Sequence, residues 1–266
     1  MGFKILELVE ITESDLVSST VTENDATAWS DATTYSVGDE VMYDHRVWKS
    51  AADGNLDNTP SDSADEWADQ GATERYRVFD NRLTPKVVEG STITYVIDPP
   101  EAIDGVAVCF VTASSVTVST SGGYSSTVTE QMVERDLLFD DLPSSTNRVT
   151  ISIAVHSANA RVGEICLGTM RDIGTCHEFD WETTYTDDAI AEMVQNYEFT
   201  VSVDSDEVAS AKGRLMDLQG QWAVFSGAPS RPELGATVFG KLVPGNRFSV
   251  DPGPTSHGRI FVQSAP

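Results

Sequence analysis

Apolar and polar residues alternate along most of this 266-residue chain, and the period is two, that of strands. Tyr76 and Val78, then Val87-Val88, begin the series. Ile93, Tyr95 and Ile97 alternate before an Asp98-Pro99-Pro100 turn. Val106, Val108 and Phe110 repeat the pattern, followed by Val116 and Val118 ahead of Ser121-Gly122-Gly123. Leu137, Phe139 and Leu142 lead into Pro143, and Val149, Ile151, Ile153 and Val155 form the most regular strand. Short strands broken by turn residues at this spacing predict an antiparallel β-sandwich over residues 75–175. Ser and Thr at the alternate positions suit solvent-facing strand surface.

The pattern changes on either side. Over residues 176–266, Met193, Gln195, Tyr197, Phe199, Val201 and Val203 alternate as a long strand. Asp204 with Glu207 three residues on predicts a capping box. Val208, Ala211, Leu215 and Leu218 then repeat at helical spacing, with Gly220 as the stop. Further strands are predicted at 222–225, 237–243, 247–250 and 260–262. This makes a small α+β domain, one helix on an antiparallel sheet. At the other end, residues 1–24 form an arm whose Phe3, Ile5, Leu6, Leu8, Val9 and Ile11 could pair as a strand with a later domain or a neighbouring subunit. Residues 25–74 stand apart again, because three of the five tryptophans, Trp29, Trp48 and Trp67, fall within 39 residues. The fold class read from these patterns is mainly β.

Charge narrows the function. The formal net charge is −25, and residues 1–74 hold 17 acids against 3 bases. Such a surface repels phosphate backbones, which argues against nucleic-acid binding. Solubility or a saline habitat is the favoured reading of the charge, with complementarity to a basic partner protein or divalent cations as the alternative. No run approaches the ~18 apolar residues of a membrane span, so a soluble protein without membrane insertion is expected. The start MGFKILELVEITESD lacks the features of a secretory signal. Cys109, Cys166 and Cys176 are odd in number and widely spaced, which predicts buried thiols rather than a disulfide framework or a zinc site.

Motifs for catalysis are scarce. The four histidines, His45, His156, His177 and His257, lie near no nucleophile motif, and His156 reads as a satisfied edge or core residue. No phosphate-cradling glycine loop occurs, and no carboxylate pair stands out, Asp140-Asp141 reading as a solvated strand end. No enzyme activity and no cofactor are expected. Asp53, Asn55 and Asp57 place oxygen ligands at alternate positions, as a calcium loop does. Asn58 and Ala64 occupy the places where an EF-hand needs glycine and glutamate, so an Asn/Asp/Gly surface loop is the favoured reading and no metal is expected.

The aromatic segment carries a resemblance. Trp29, Tyr35, Gly38-Asp39, Val41, Tyr43, Trp48, Pro60 and Trp67 stand in the order found in the small chitin-binding-type carbohydrate modules of families 5 and 12. The resemblance implies a three-stranded β unit whose aromatics double as core, with Trp29, Tyr43, Trp48 and Trp67 as candidate sugar-stacking residues. The chitin binders carry neighbouring exposed aromatics where this chain has Ser50-Ala51-Ala52-Asp53-Gly54, which removes much of the stacking surface.

The remainder is similar to tailed-bacteriophage virion proteins that join such a module to a sandwich domain. The residues that carry this are Glu74-Arg-Tyr-Arg-Val-Phe-Asp80, Val149-Thr-Ile-Ser-Ile153, Val162-Gly-Glu-Ile-Cys-Leu-Gly168 and Arg171-Asp-Ile-Gly174. A strand of the form Ile-x-Leu-Gly resembles the closing strand of galactose-binding-like sandwiches, which implies a jelly-roll-like topology. The resemblance implies a structural protein of tail, neck or baseplate, located in the virion and assembled in the host cytoplasm. Its partners would be other virion proteins and further copies of itself, with a host surface glycan as the alternative.

Overall fold

The computed structural model describes the chain except for residues 1, 81–85, 90–91, 155–158, 186–192, 205–206, 220, 228–236, 243–246, 250–254 and 265–266. The protein is mainly β, with a large antiparallel curled sheet and one α-helix among the described residues. The expectations for His156, Gly220, Val155, Val243 and Val250 fall outside the described residues.

The chain opens with β1 (Gly2–Leu8), a short 3-10 turn at Glu13–Asp15 and β2 (Leu16–Ser19). A separate sheet follows, built from β3 (Thr27–Ala28), β4 (Glu40–Tyr43), β5 (Arg46–Ser50) and β6 (Trp67–Ala72). Its three antiparallel strands β4–β6 match the expected unit, and β3 adds a two-residue parallel edge. Tyr76 and Val78 do not begin a strand. Arg77–Phe79 is a 3-10 turn that drops Val78 into the core of the next layer.

That layer contains β7 (Lys86–Glu89), β8 (Thr92–Ile97), β9 (Gly105–Thr120), β10 (Ser125–Phe139), β11 (Val149–Ala154) and β12 (Asn159–Val162). The two alternating runs at 106–110 and 116–118 belong to one 16-residue strand, β9. Its core-facing residues are Val106 and Val108, then Val111 and Ala113, then Val116 and Val118, so the parity switches twice along the strand. The first switch falls at Phe110, whose φ of 53° breaks the pleat as a bulge does. The Asp136 carboxylate accepts the Phe110 N–H at 2.7 Å. Bulging keeps one face apolar while the sheet curls, and simple alternation cannot anticipate it.

The longest strand is β13 (Glu164–Tyr185), 22 residues that cross position 175 without a break. Its first residues pair with β9, its middle with β1, and its last with β14 (Met193–Asp204). After β14 come α1 (Val208–Asp217), β15 (Trp222–Ser226), β16 (Thr237–Leu242), β17 (Arg247–Ser249) and β18 (Thr255–Ser264). The pairings β13–β1, β1–β15, β15–β16, β16–β18, β18–β14 and β14–β13 close a ring of six strands. The predicted helix is therefore packed against a closed sheet, of which β1 lies wholly and β13 partly outside residues 176–266. The arm supplies one of them, because Phe3 and Ile5 are fully buried with Phe199, Val201 and the α1 residues Val208, Ala211 and Leu215. The helix begins at Val208 with Glu207 as its N-cap and no side-chain capping bond, so the Asp204 capping box does not form.

Glycine decides the crossing between the two parts of the large sheet. At Gly168, β13 pairs with Gly105 on β9 and with Leu8 on β1. A Cβ there would lie 1.9 Å from the Glu7 carbonyl oxygen, so only hydrogen fits.

Candidate functional site

The small sheet brings most of its aromatics together. Asp44 and His45, with φ of 52° and 57°, make the two-residue turn between β4 and β5, a primed hairpin turn. Gly38 takes φ 94°, and the neighbouring Asp39 carboxylate accepts the Ser36 N–H at 2.8 Å. The Gly-Asp pair of the motif is thus a turn device. Trp67 is 2% exposed, sits edge-on to Tyr35 at 5.2 Å, and donates its Nε1–H to the Asn58 carbonyl at 2.9 Å. Its ring serves the core and offers no face to a ligand.

Trp29, Tyr43 and Trp48 are half-buried. Trp29 and Tyr43 meet edge to face at 5.4 Å, and Trp48 donates Nε1–H to the Tyr43 carbonyl at 3.1 Å. The Trp29 Nε1–H is buried and makes no hydrogen bond. These three rings, next to one another on β4, β5 and the segment before them, are what this module can present to a flat ligand.

The Asp53, Asn55 and Asp57 loop is organised by hydrogen bonds of its own. Asn55 is buried, donates to Ser50 Oγ at 3.1 Å and to the Glu66 carbonyl at 3.2 Å, and accepts from Asn58 at 2.9 Å. Asp53 accepts the Val37 N–H at 3.0 Å, and Asp57 adopts φ 59°. Each residue has a job in the turn, which accounts for the Asn/Asp/Gly composition without a ligand. Among the described residues no three His, Cys, Asp or Glu converge as metal ligands do.

Two arrangements were not visible in the sequence. The first is a cavity of about 350 Å³ between Leu8–Ile11, Phe79, the start of β13 and Trp222. Glu164, 1% exposed, and Cys166 line it. The signal that could have found Glu164 is a lone acid in the apolar run Val162-Gly-Glu-Ile-Cys-Leu. Beside it, the Cys109 and Cys166 thiols hydrogen-bond to each other. That bond and burial push Cys109 well up, and burial pushes Cys166 up. Both are held as thiols, the unreactive form.

The second is His45. Its Nδ1 lies 2.8 Å from Glu23 Oε1 and its Nε2 lies 3.1 Å from Glu13 Oε1, while its ring stacks on Tyr76 at 4.0 Å. No local motif marks it, because its partners are contributed by segments distant in the chain. Comparison with protein-family models, curated proteins and solved structures finds no match to this chain.

Proposed function

We propose that this protein is a non-enzymatic structural component of a tailed-phage particle, in the tail, neck or baseplate, and that it acts through protein–protein assembly. The observation that carries the reading is the continuity of the framework. Strand β13 runs from the curled sheet into the closed six-stranded ring, so the two parts share backbone hydrogen bonds and form one scaffold. A stiff scaffold of this kind suits repeated contacts, and its 15-residue strand β10, which pairs with β9 among the described residues, offers a long edge for strand addition by a neighbour. The acidic aromatic module hangs from that scaffold as an accessory. The order of module and sandwich is the one that resembles virion proteins.

A second reading, glycan binding by the module at a host surface, is favoured by the half-buried cluster of Trp29, Tyr43 and Trp48. One experiment addresses both. Sedimentation of the purified chain across concentration should reveal a defined oligomer whose contacts bury on the order of 1,000 Å² or more, and antibodies to the chain should label intact particles. A monomer at every concentration that is absent from particles overturns assembly. Quenching of tryptophan fluorescence by chitooligosaccharides in such a monomer would favour the glycan reading.

A further inference from the structure

His45 sits at the tip of the β4–β5 hairpin, and the hydrogen-bond, ion-pair and stacking partners of its ring belong to the turn before β2 or to the segments that join the two sheets. Glu13 lies in the 3-10 turn just before β2, a strand paired with β8, and Asp15 of the same turn accepts the Asp98 N–H at 2.8 Å. Glu23 follows β2 and also accepts from Thr73 Oγ1 at 2.8 Å, while Thr73 N–H donates to the His45 carbonyl at 2.8 Å. Tyr76 precedes the turn that buries Val78 in the large core. The hairpin tip is therefore held by the turn before β2 and by the two segments that join the sheets.

The chemistry of this grip depends on a proton. Both ring nitrogens face carboxylate oxygens, and an ionised carboxylate only accepts. A neutral imidazole has one N–H, which would leave a lone pair pointing at the second carboxylate. Only the imidazolium satisfies both contacts. We propose that His45 is a proton-operated clasp that holds the aromatic module against the large sheet when protonated and releases it when the proton leaves.

The direction of the effect follows from the surroundings. Partial burial disfavours the charged ring, but hydrogen bonds and charge from Glu23 and Glu13 outweigh it and raise the His45 pKa above its ordinary 6.5. The contribution to docking is fully present below the unfolded-state value of ~6.5 and is lost as pH rises through the folded value. Exposures of 27% for His45, 18% for Glu23 and 67% for Glu13 make Glu23 the better-shielded partner. The other charged or titratable groups near the contact are Asp44 in the same turn, the Tyr76 phenol, itself raised by burial and by Glu23 and Glu13, and Arg75, which donates to the Val21 carbonyl at 2.8 Å. Farther out, Asp25 accepts the Glu74 N–H at 3.0 Å and lies 3.7 Å from Arg77. Loss of the proton leaves the Glu13 and Glu23 carboxylates on either side of a neutral ring.

The test is an NMR titration of the full chain, with His45 assigned by the variant His45→Asn. Asparagine tolerates the left-handed turn conformation, so the hairpin is retained. The His45 midpoint should lie above ~6.5 and should fall toward it in Glu23→Gln and, less, in Glu13→Gln. Protection of the Thr73 amide against hydrogen exchange, corrected for intrinsic rate, should drop between pH 6 and 8.5. The drop should be about tenfold for each pH unit by which the midpoint exceeds ~6.5, and it should be flat in His45→Asn. A midpoint at or below the ordinary value, or the same pH dependence in His45→Asn, would overturn the clasp.

Discussion

The two sheets of this protein solve the same problem with different means. Among the described residues the main core of the large sheet holds twenty-one, nearly all aliphatic and most of them on strands, which reach 16 and 22 residues. The core cluster of the small sheet holds three buried residues, Tyr35, Val41 and Trp67, among strands of two to six residues. With so little aliphatic volume, the small sheet depends on side-chain hydrogen bonds to loop backbone, at Trp67 to Asn58 and at Asn55 to Glu66. It also depends on residues that accept positive φ, at Gly38, Asp44, His45, Gly54 and Asp57. Large sheets gain stability from area, spread over many aliphatic contacts. Small ones gain it from a few specific side chains, each of which counts for more. The aromatic density that resembles a sugar platform is, at Trp67 and Tyr35, the way a short acidic segment makes a core.

Substitutions can break this contrast in graded steps. The largest effect is expected for Gly168→Ala, because the new methyl would meet the Glu7 backbone at the crossing of β9, β13 and β1, where no side chain can rotate away. Urea denaturation should show the large sheet weakened by at least about 3 kcal/mol, or no folded protein at all. A stable, native-like variant would mean that the crossing is loose. Next comes Trp67→Ala, which should cost about 3–5 kcal/mol and collapse the small sheet alone. Circular dichroism should then keep the main thermal transition of the large sheet, while tryptophan emission shifts to the red. Loss of both sheets together would show that they fold as one unit. Smaller still, Asn55→Ala removes the donors to Ser50 and Glu66 and should cost about 1–3 kcal/mol, read as a lower denaturation midpoint for the module with the rest unchanged.

Much of this was legible in the chain. Period-two runs located β8, β11 and β14 because each turns one face to a core. Val208, Ala211 and Leu215 marked the helix for the same reason at helical spacing. Other features were not legible. The turn at Arg77–Phe79 buries Val78 but not as a strand, and two short alternating runs join into β9 only because bulges reset the parity. Among the four candidate stacking residues, Trp67 is separated from Trp29, Tyr43 and Trp48 by burial, a distinction carried by the packing of Tyr35 against it. Glu164 and His45 carried no motif.

The sequence by itself determined that this is a mainly β protein, with one helix near its C-terminus and an aromatic module near its start. Those properties follow from local spacing, which each segment expresses alone. Only the tertiary structure decided that the arm closes a six-stranded ring and that β13 joins two parts across position 175. It also decided that His45 rests between Glu13 and Glu23. These are matters of register and long-range contact, fixed by which backbones can approach at Gly168 and where a bulge turns the sheet. No local pattern encodes a partner that lies tens or hundreds of residues away.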